Sequence, residues 1–275
     1  MKHSNRFLTT FTTTYKVLFF GIMMFLAIDS TGQGFHLGLT LSPNVGFSIP
    51  RKFSHESLKG TAHFGYGFIF DAKFTNTYAV GTGINVFHTG GVVSYFEANS
   101  STEPSAVDRV ELTQRLQYVE LPLTFKMRTK EIGYTTYWGQ FGLGLGLNVR
   151  AEGEERRTTV ALLNDSNQLW EPAVNAAVFE SPTDISLVEQ TRLFRPALIV
   201  GLGLERRFTG TTALAVGLRY NVGIRNQYED FDVVKGDREE GVLYQLDDIT
   251  LNSMPQSLKM FGKSGQLELL VGLMF

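Results

Sequence analysis

Hydrophobic and polar residues alternate along most of the chain beyond residue 33, a period that is typical of β-strands with one apolar face. In the clearest stretch, residues 141–149, every second residue is Phe, Leu or Val, and the residues between them are Gly or Asn. Helical periodicity is scarce by comparison. The alternation predicts eight strands, at residues 34–47, 60–73, 78–92, 110–129, 134–151, 191–207, 212–228 and 260–275.

The connections between these strands alternate between short and long. The short ones are 74–77, 130–133 and 208–211, and the long ones are 49–59, 93–109, 151–190 and 229–259. Tight turns at one end and long loops at the other are typical of bacterial outer-membrane barrels. We therefore expect an all-β fold, an eight-stranded antiparallel up-and-down transmembrane β-barrel with short periplasmic turns, long extracellular loops and both termini on the turn side.

The residues on the polar faces decide whether such a barrel sits in water or in a bilayer. Six charged residues share these faces with glycines: Glu120, Lys126, Arg128, Glu205, Arg219 and Glu268. Eight strands enclose only enough space for side chains, and a Lys or Arg facing lipid at the midplane costs about 2–4 kcal/mol. We therefore expect the apolar faces to contact lipid and these six residues to form a structural charge network in the lumen, rather than a proton relay.

Aromatic residues near the short connections fit a girdle at a membrane interface. They are Phe74, Tyr78, Tyr134, Tyr137, Phe208 and Phe275.

The first residues of the chain resemble an export signal. Lys2, Arg6 and Lys16 precede an apolar run of 12 residues at 17–28, which is too short to span a bilayer as a helix and is followed by small residues. The sequence predicts a signal peptide at 1–32 and a mature barrel at 33–275 that lies in the outer membrane of the cell.

Composition mainly excludes functions. The chain of 275 residues has a net charge of -2 and lacks cysteine, which argues against nucleic-acid partners and rules out disulfides, thiolate metal sites and cysteine nucleophiles. The Gly-x-Gly stretches lie inside strands and lack the turn into a helix that a phosphate-binding loop needs. We expect no cofactor, no metal site and no catalytic residue.

Two segments resemble known outer-membrane proteins. Residues 265–275, GQLELLVGLMF, resemble the terminal strand that the barrel insertion machinery recognises, with Phe275 as the insertion signal. Residues 118–128, YVELPLTFKMR, look like the central strand of the PorT-like outer-membrane β-barrel family. The resemblance implies an outer-membrane location in a Gram-negative cell. The member that gives the family its name takes part in protein secretion across the outer membrane.

The expected function is a non-enzymatic membrane anchor or interaction platform. Its expected partners are outer-membrane lipid, including lipopolysaccharide, the insertion machinery and a protein bound at the long loops at 151–190 and 229–259. One alternative is a barrel enzyme acting on lipid or peptide, with His55, His88 or Ser94 and Asp230 as candidate groups. The other is a secreted, soluble, lipocalin-like barrel with Leu and Phe lining its lumen.

Overall fold

All regular structure in the described residues is β-strand. The structure, a computed structural model, describes residues 34–50, 56–98, 106–162, 170–172, 182–228 and 262–275. Its strands are β1 (Phe35–Pro50), β2 (Glu56–Lys73), β3 (Tyr78–Thr89), β4 (Gly91–Ala98), β5 (Ala106–Arg128), β6 (Thr135–Leu162), β7 (Trp170–Pro172), β8 (Thr183–Ser186), β9 (Phe194–Thr209), β10 (Thr212–Gly223) and β11 (Gly262–Met274).

Hydrogen bonding closes these strands into a ring of eight staves, where a stave is one strand position of the ring. β3 and β4 form one stave interrupted at Gly90, because both pair with β2 on one side and β5 on the other. The ring then runs through β6, β9, β10 and β11, and β11 pairs antiparallel with β1. The eight predicted strands and their antiparallel order are therefore confirmed.

Tight turns join the staves at the end where both termini of the barrel lie. Phe275 and Leu37 exchange two backbone hydrogen bonds there, at 2.8 and 3.0 Å. Gly133 and Gly210 occupy turn positions with φ near +58° and +57°, which glycine adopts without a steric penalty. The three short connections are confirmed.

Side-chain facing follows the predicted arrangement through the middle of the barrel. On β5 the alternate residues from 119 to 127 are apolar and face outward, while Glu120, Thr124 and Lys126 are buried inside. Eight residue steps of about 3.4 Å span about 27 Å along the strand, or about 20 Å of height at the usual tilt of about 40°, which covers most of an apolar band roughly 25 Å tall. The lumen is polar at this level, whereas the soluble lipocalin-like alternative requires Leu and Phe to line it, so this level argues against that alternative.

The strands extend further on the long-loop side than the sequence indicates. β2 begins at Glu56, β5 begins at Ala106, and β6 continues to Leu162, so much of the predicted loops at 93–109 and 151–190 is strand. Their cross-strand neighbours carry opposite charges, as at Glu111 and Arg156 or Arg115 and Glu152. The outward residues are polar here, so the apolar alternation that predicts the strands ends before the strands themselves do.

The described residues include no helix that is long and apolar enough to cross a membrane. The predicted signal peptide at 1–32 lies outside the described residues.

Candidate functional site

The lumen holds the charged residues singled out by the sequence, in two separate clusters. The turn-end cluster consists of Asp71, Lys126, Arg128 and Glu205. The mid-barrel cluster consists of Glu120, Arg195, Arg219, Asn221 and Glu268. All nine side chains are buried.

The turn-end cluster balances two cations against two carboxylates. Lys126 Nζ donates to Asp71 Oδ2 and lies 3.7 Å from Glu205 Oε1. Arg128 Nη2 donates to Glu205 Oε2 at 2.5 Å. Lys126 also lies 5.1 Å from the ring centroid of Trp138, an aromatic face that favours a cation. Glu205 therefore joins the two cations from β5 across the lumen.

The mid-barrel cluster is likewise neutral when its groups are ionised. Arg219 forms a bidentate ion pair with Glu268, in which Nε donates to Oε1 at 3.0 Å and Nη2 donates to Oε2 at 2.7 Å. Asn221 Nδ2 lies 3.1 and 2.9 Å from the two carboxylate oxygens of Glu120, and Arg195 Nη1 lies 3.4 Å from one of them. Glu120 and Glu268 have no solvent exposure. Such carboxylates are stable only with these partners.

One glycine makes room for this cluster. A Cβ on Gly144 would lie 2.4 Å from Glu120 Oε2, so the glycine leaves the space that the carboxylate occupies. The Gly-rich stretch of β6 is thus the wall against which a lumenal carboxylate packs.

An apolar core fills the lumen beyond the mid-barrel cluster, toward the long-loop end. Its buried members include Phe87, Val93, Tyr95, Val110, Leu112, Leu116, Tyr118, Ala151, Leu187 and Tyr228. The expectation that Leu and Phe face only outward is therefore wrong at this end. The inner face of β5 changes from Glu120 and Lys126 to Leu116 and Leu112 without a change in alternation. The alternation is the same at both levels, so it does not distinguish the charged part of the lumen from the apolar part.

Arg195 connects the mid-barrel cluster to this core. Its guanidinium carbon lies 5.7 Å from the ring centroid of Phe87 and 5.4 Å from that of Tyr118, while Nε donates to Ser264 at 2.6 Å. The charged layer is thus capped by aromatic rings that contact a cation.

The lumen is also narrow at the break between β3 and β4, where the backbone of this stave approaches that of β1. A Cβ on Gly46 of β1 would lie 2.6 Å from the backbone nitrogen of Gly90 and 2.5 Å from Thr89 Oγ1. A Cβ on Gly91 would lie 3.0 Å from the nitrogen of Ser48. Only the absence of side chains lets these backbones approach across the lumen.

The structure brings the six charged residues together only in part. Lys126, Arg128 and Glu205 share one cluster, and Arg219 and Glu268 form a pair in the other. Glu120 contacts Arg195 and Asn221. The sequence prediction did not include Asp71 and Arg195. Both occupy positions of their strands whose side chains point into the lumen, and other residues on the same face of each strand are wholly or partly buried as well. Phe275 ends the barrel with a partly exposed ring, and its role as insertion signal stays a prediction.

The residues considered for an enzyme do not form a group in the described part of the chain. His88 lies on the outward phase of β3 with Nδ1 3.4 Å from the Phe64 carbonyl oxygen, whereas Ser94 is buried on β4. His55 and Asp230 lie outside the described residues. The described residues also contain no group of three His, Asp or Glu that could hold a metal ion.

The sequence matches the family model of the outer membrane protein beta-barrel domain over residues 29–229, most of the chain. The chain belongs to this family. It is an outer-membrane β-barrel protein, so the apolar band described above faces the lipid of the outer membrane. The match establishes the barrel family as a whole, and the PorT-like resemblance stays a prediction.

Several solved structures resemble this chain at low identity. Neisserial surface protein A is 11% identical, with a TM-score of 0.36, covering 88% of this chain and 98% of its own. Ail, the attachment invasion locus protein of Yersinia pestis, is 11% identical, with a TM-score of 0.35 and coverages of 88% and 99%. OprG from Pseudomonas aeruginosa is 9% identical, with a TM-score of 0.37 and coverages of 88% and 96%. No curated protein matches the chain.

Proposed function

We propose that this protein is a non-enzymatic outer-membrane anchor that presents its extracellular loops as an interaction platform. The filled lumen is the observation that carries this proposal. Two neutral ion clusters and an apolar core occupy it in succession, an arrangement suited to a rigid support rather than to a diffusion channel.

The strands above the apolar band support the same role. β5 and β6 continue their ladder well beyond Gln117, and their outward faces carry matched charges such as Glu111 opposite Arg156. A sheet that extends into water holds the attachment points of its loops above the apolar band. Long loops on a rigid scaffold are where binding residues are commonly found.

Hydrogen bonds also connect the described residues on either side of the fourth long loop to each other and to Arg192. Arg192 donates its backbone N–H to the Gln227 carbonyl oxygen at 2.8 Å and its Nε to the Tyr228 carbonyl oxygen at 2.9 Å. The Gln227 N–H donates to the Gly262 carbonyl oxygen at 2.9 Å. The two described residues that flank 229–261, Tyr228 and Gly262, therefore lie side by side, so a short linker can join them without distorting the barrel.

We propose a protein partner at these loops, and the PorT-like resemblance of residues 118–128 supports a link with protein secretion. The test is affinity purification of the tagged protein from detergent-solubilised outer membrane. The full chain and a variant with residues 230–260 replaced by a four-residue Gly-Ser linker are compared.

A partner that copurifies reproducibly with the full chain and is lost from the linker variant is the expected result. Recovery of secretion components would support the secretion link. Heat-dependent mobility on gels checks that both barrels are folded. Hydrolysis of lipid or peptide by the purified full chain would overturn the non-enzymatic role, and equal partner recovery by both proteins would overturn the role of this loop.

A further inference from the structure

A groove opens in the outer wall of the barrel beside β6. Pairing of β6 with β9 ends at Leu147 and Phe194, and pairing with β8 begins at Glu152 and Ser186. Between these points the segment 187–193 bows away from β6. Hydrogen bonds from Leu187 N–H to the Ala151 oxygen at 3.0 Å and from Asn148 N–H to the Leu193 oxygen at 2.8 Å fix its two ends. The gap has a volume of about 130 Å³.

The groove lies at the extracellular edge of the apolar band. Arg150 pairs with Gln117, the first polar residue above the outward apolar positions of β5, and Val149 ends the run of alternating apolar residues that begins at Phe141 on β6. Three side chains that line the groove are apolar and more than half exposed, namely Val149 at 57%, Val188 at 62% and Leu193 at 65%. At this level such surface faces the acyl chains of the outer leaflet.

Two arginines lie close to this apolar surface. Arg150 lines the groove, and the exposed Arg115 lies one step further along the neighbouring strand. Arg150 Nε donates to Glu152 at 2.7 Å, but the two side chains are 63% and 50% exposed, so the pair contributes little stability. The guanidinium can therefore also bind an incoming phosphate, for which its planar fork is well suited.

Asn148 adds a polar contact at the base of the groove. Its Nδ2 donates to Thr191 Oγ1 at 3.1 Å, and its Oδ1 is buried with no partner among the described residues. A buried acceptor of this kind favours a ligand that brings a hydroxyl or amide donor.

We propose that the groove binds a phosphorylated glycolipid of the outer leaflet, the chemistry of the lipid part of lipopolysaccharide. One acyl chain packs on Val149, Val188 and Leu193, a phosphate contacts Arg150, and a sugar hydroxyl or amide donates to Asn148. The combination of phosphate, acyl chain and hydrogen-bond donor distinguishes this occupant from a simple anionic phospholipid. The inference rests on the outer-membrane location and is independent of the platform role of the loops.

The test uses the full-length protein refolded in detergent and titrated with deep-rough lipopolysaccharide, with binding measured by native mass spectrometry. Arg150→Gln is the test variant, Arg150→Lys retains the charge, and Val188→Asn perturbs the apolar side. Arg206→Gln is the matched control, because Arg206 is an exposed outward arginine at the opposite end of the barrel. Heat-dependent gel mobility verifies folding of each protein.

We expect Arg150→Gln and Val188→Asn each to weaken binding by about fivefold or more, corresponding to the loss of one exposed contact, while Arg206→Gln stays within about twofold of the wild type. Arg150→Lys keeps the charge but not the planar fork, so its affinity should fall between those of Arg150→Gln and the wild type. Equal binding by all variants would overturn the site. Equal affinity of the wild-type protein for phosphatidylglycerol would overturn the glycolipid as its occupant.

Discussion

The buried ion pairs show how strongly a single residue depends on its partner. Glu268 is fully buried, and Arg219 donates to both of its oxygens. Removing one member of such a pair leaves an uncompensated charge in the lumen, whereas replacing both by apolar groups removes the charge and its desolvation cost together.

We expect Arg219→Met to lower the free energy of unfolding by about 3–5 kcal/mol. The double variant Arg219→Met, Glu268→Leu should recover most of this loss, since no unpaired carboxylate remains. Urea unfolding of the barrel in lipid vesicles measures both. A double variant no more stable than the single one would contradict the pairing.

Lipid-facing positions on β6 follow a different rule, because a charge there has no partner. Leu145→Arg should lower stability by about 2–4 kcal/mol and impair insertion. Gly139→Ala is the control, since its Cβ would meet only the Gly201 carbonyl oxygen, at 3.9 Å. Gly144→Ala is unsuitable as a control because its Cβ would press on Glu120. Folding yield in liposomes is the measurement, and equal tolerance of the two changes would refute the assigned facing.

At the scale of elements, the break between β3 and β4 determines the shape of the long-loop end. Gly90 and Gly91 let this stave turn inward and contact β1 at Gly46, while β4 still pairs with β2 and β5. The apolar core forms beside this inward turn, with Val93 of β4 and Phe87 of β3 among its members.

Gly46→Val should lower the free energy of unfolding by about 1–3 kcal/mol, because its side chain would collide with the backbone of Gly90. Gly139→Val, an equal increase in size on the outward face of β6, should have a smaller effect. Limited proteolysis of the folded proteins gives a second measurement, in which Gly46→Val should expose new cleavage sites at the long-loop end. Identical unfolding curves would contradict the close approach.

For the whole molecule, the succession of the turn-end cluster, the mid-barrel cluster and the apolar core has a functional consequence. An open water path would have to cross all three layers, and eight strands enclose no surplus space.

We therefore expect the purified protein to produce no regular conductance steps in a planar lipid bilayer. A porin reconstituted in the same membrane serves as the positive control. Stepwise currents of uniform size from the folded barrel would show that ions pass the clusters and would contradict the platform role.

The sequence could predict as much as local periodicity encodes. Alternation along residues 141–149 specifies both the strand and the side that meets lipid, because successive side chains of a strand point to opposite faces. Charges such as Lys126 and Glu205 then assign the polar side to the lumen, since lipid excludes them. Eight strands, their facing through the middle of the barrel and the turn ends follow from these two rules.

The tertiary structure alone decides which residues meet across the closed ring. Glu120 contacts Arg195, 75 residues away in the chain, and Lys126 contacts Asp71, 55 residues away. These partners depend on the register of every intervening strand pair, which one strand cannot specify. The same holds for the bowed segment 187–193, which lies where β6 changes its partner from β9 to β8. It also holds for the close approach of Gly46 and Gly90, which lies where the stave of β3 and β4 is interrupted.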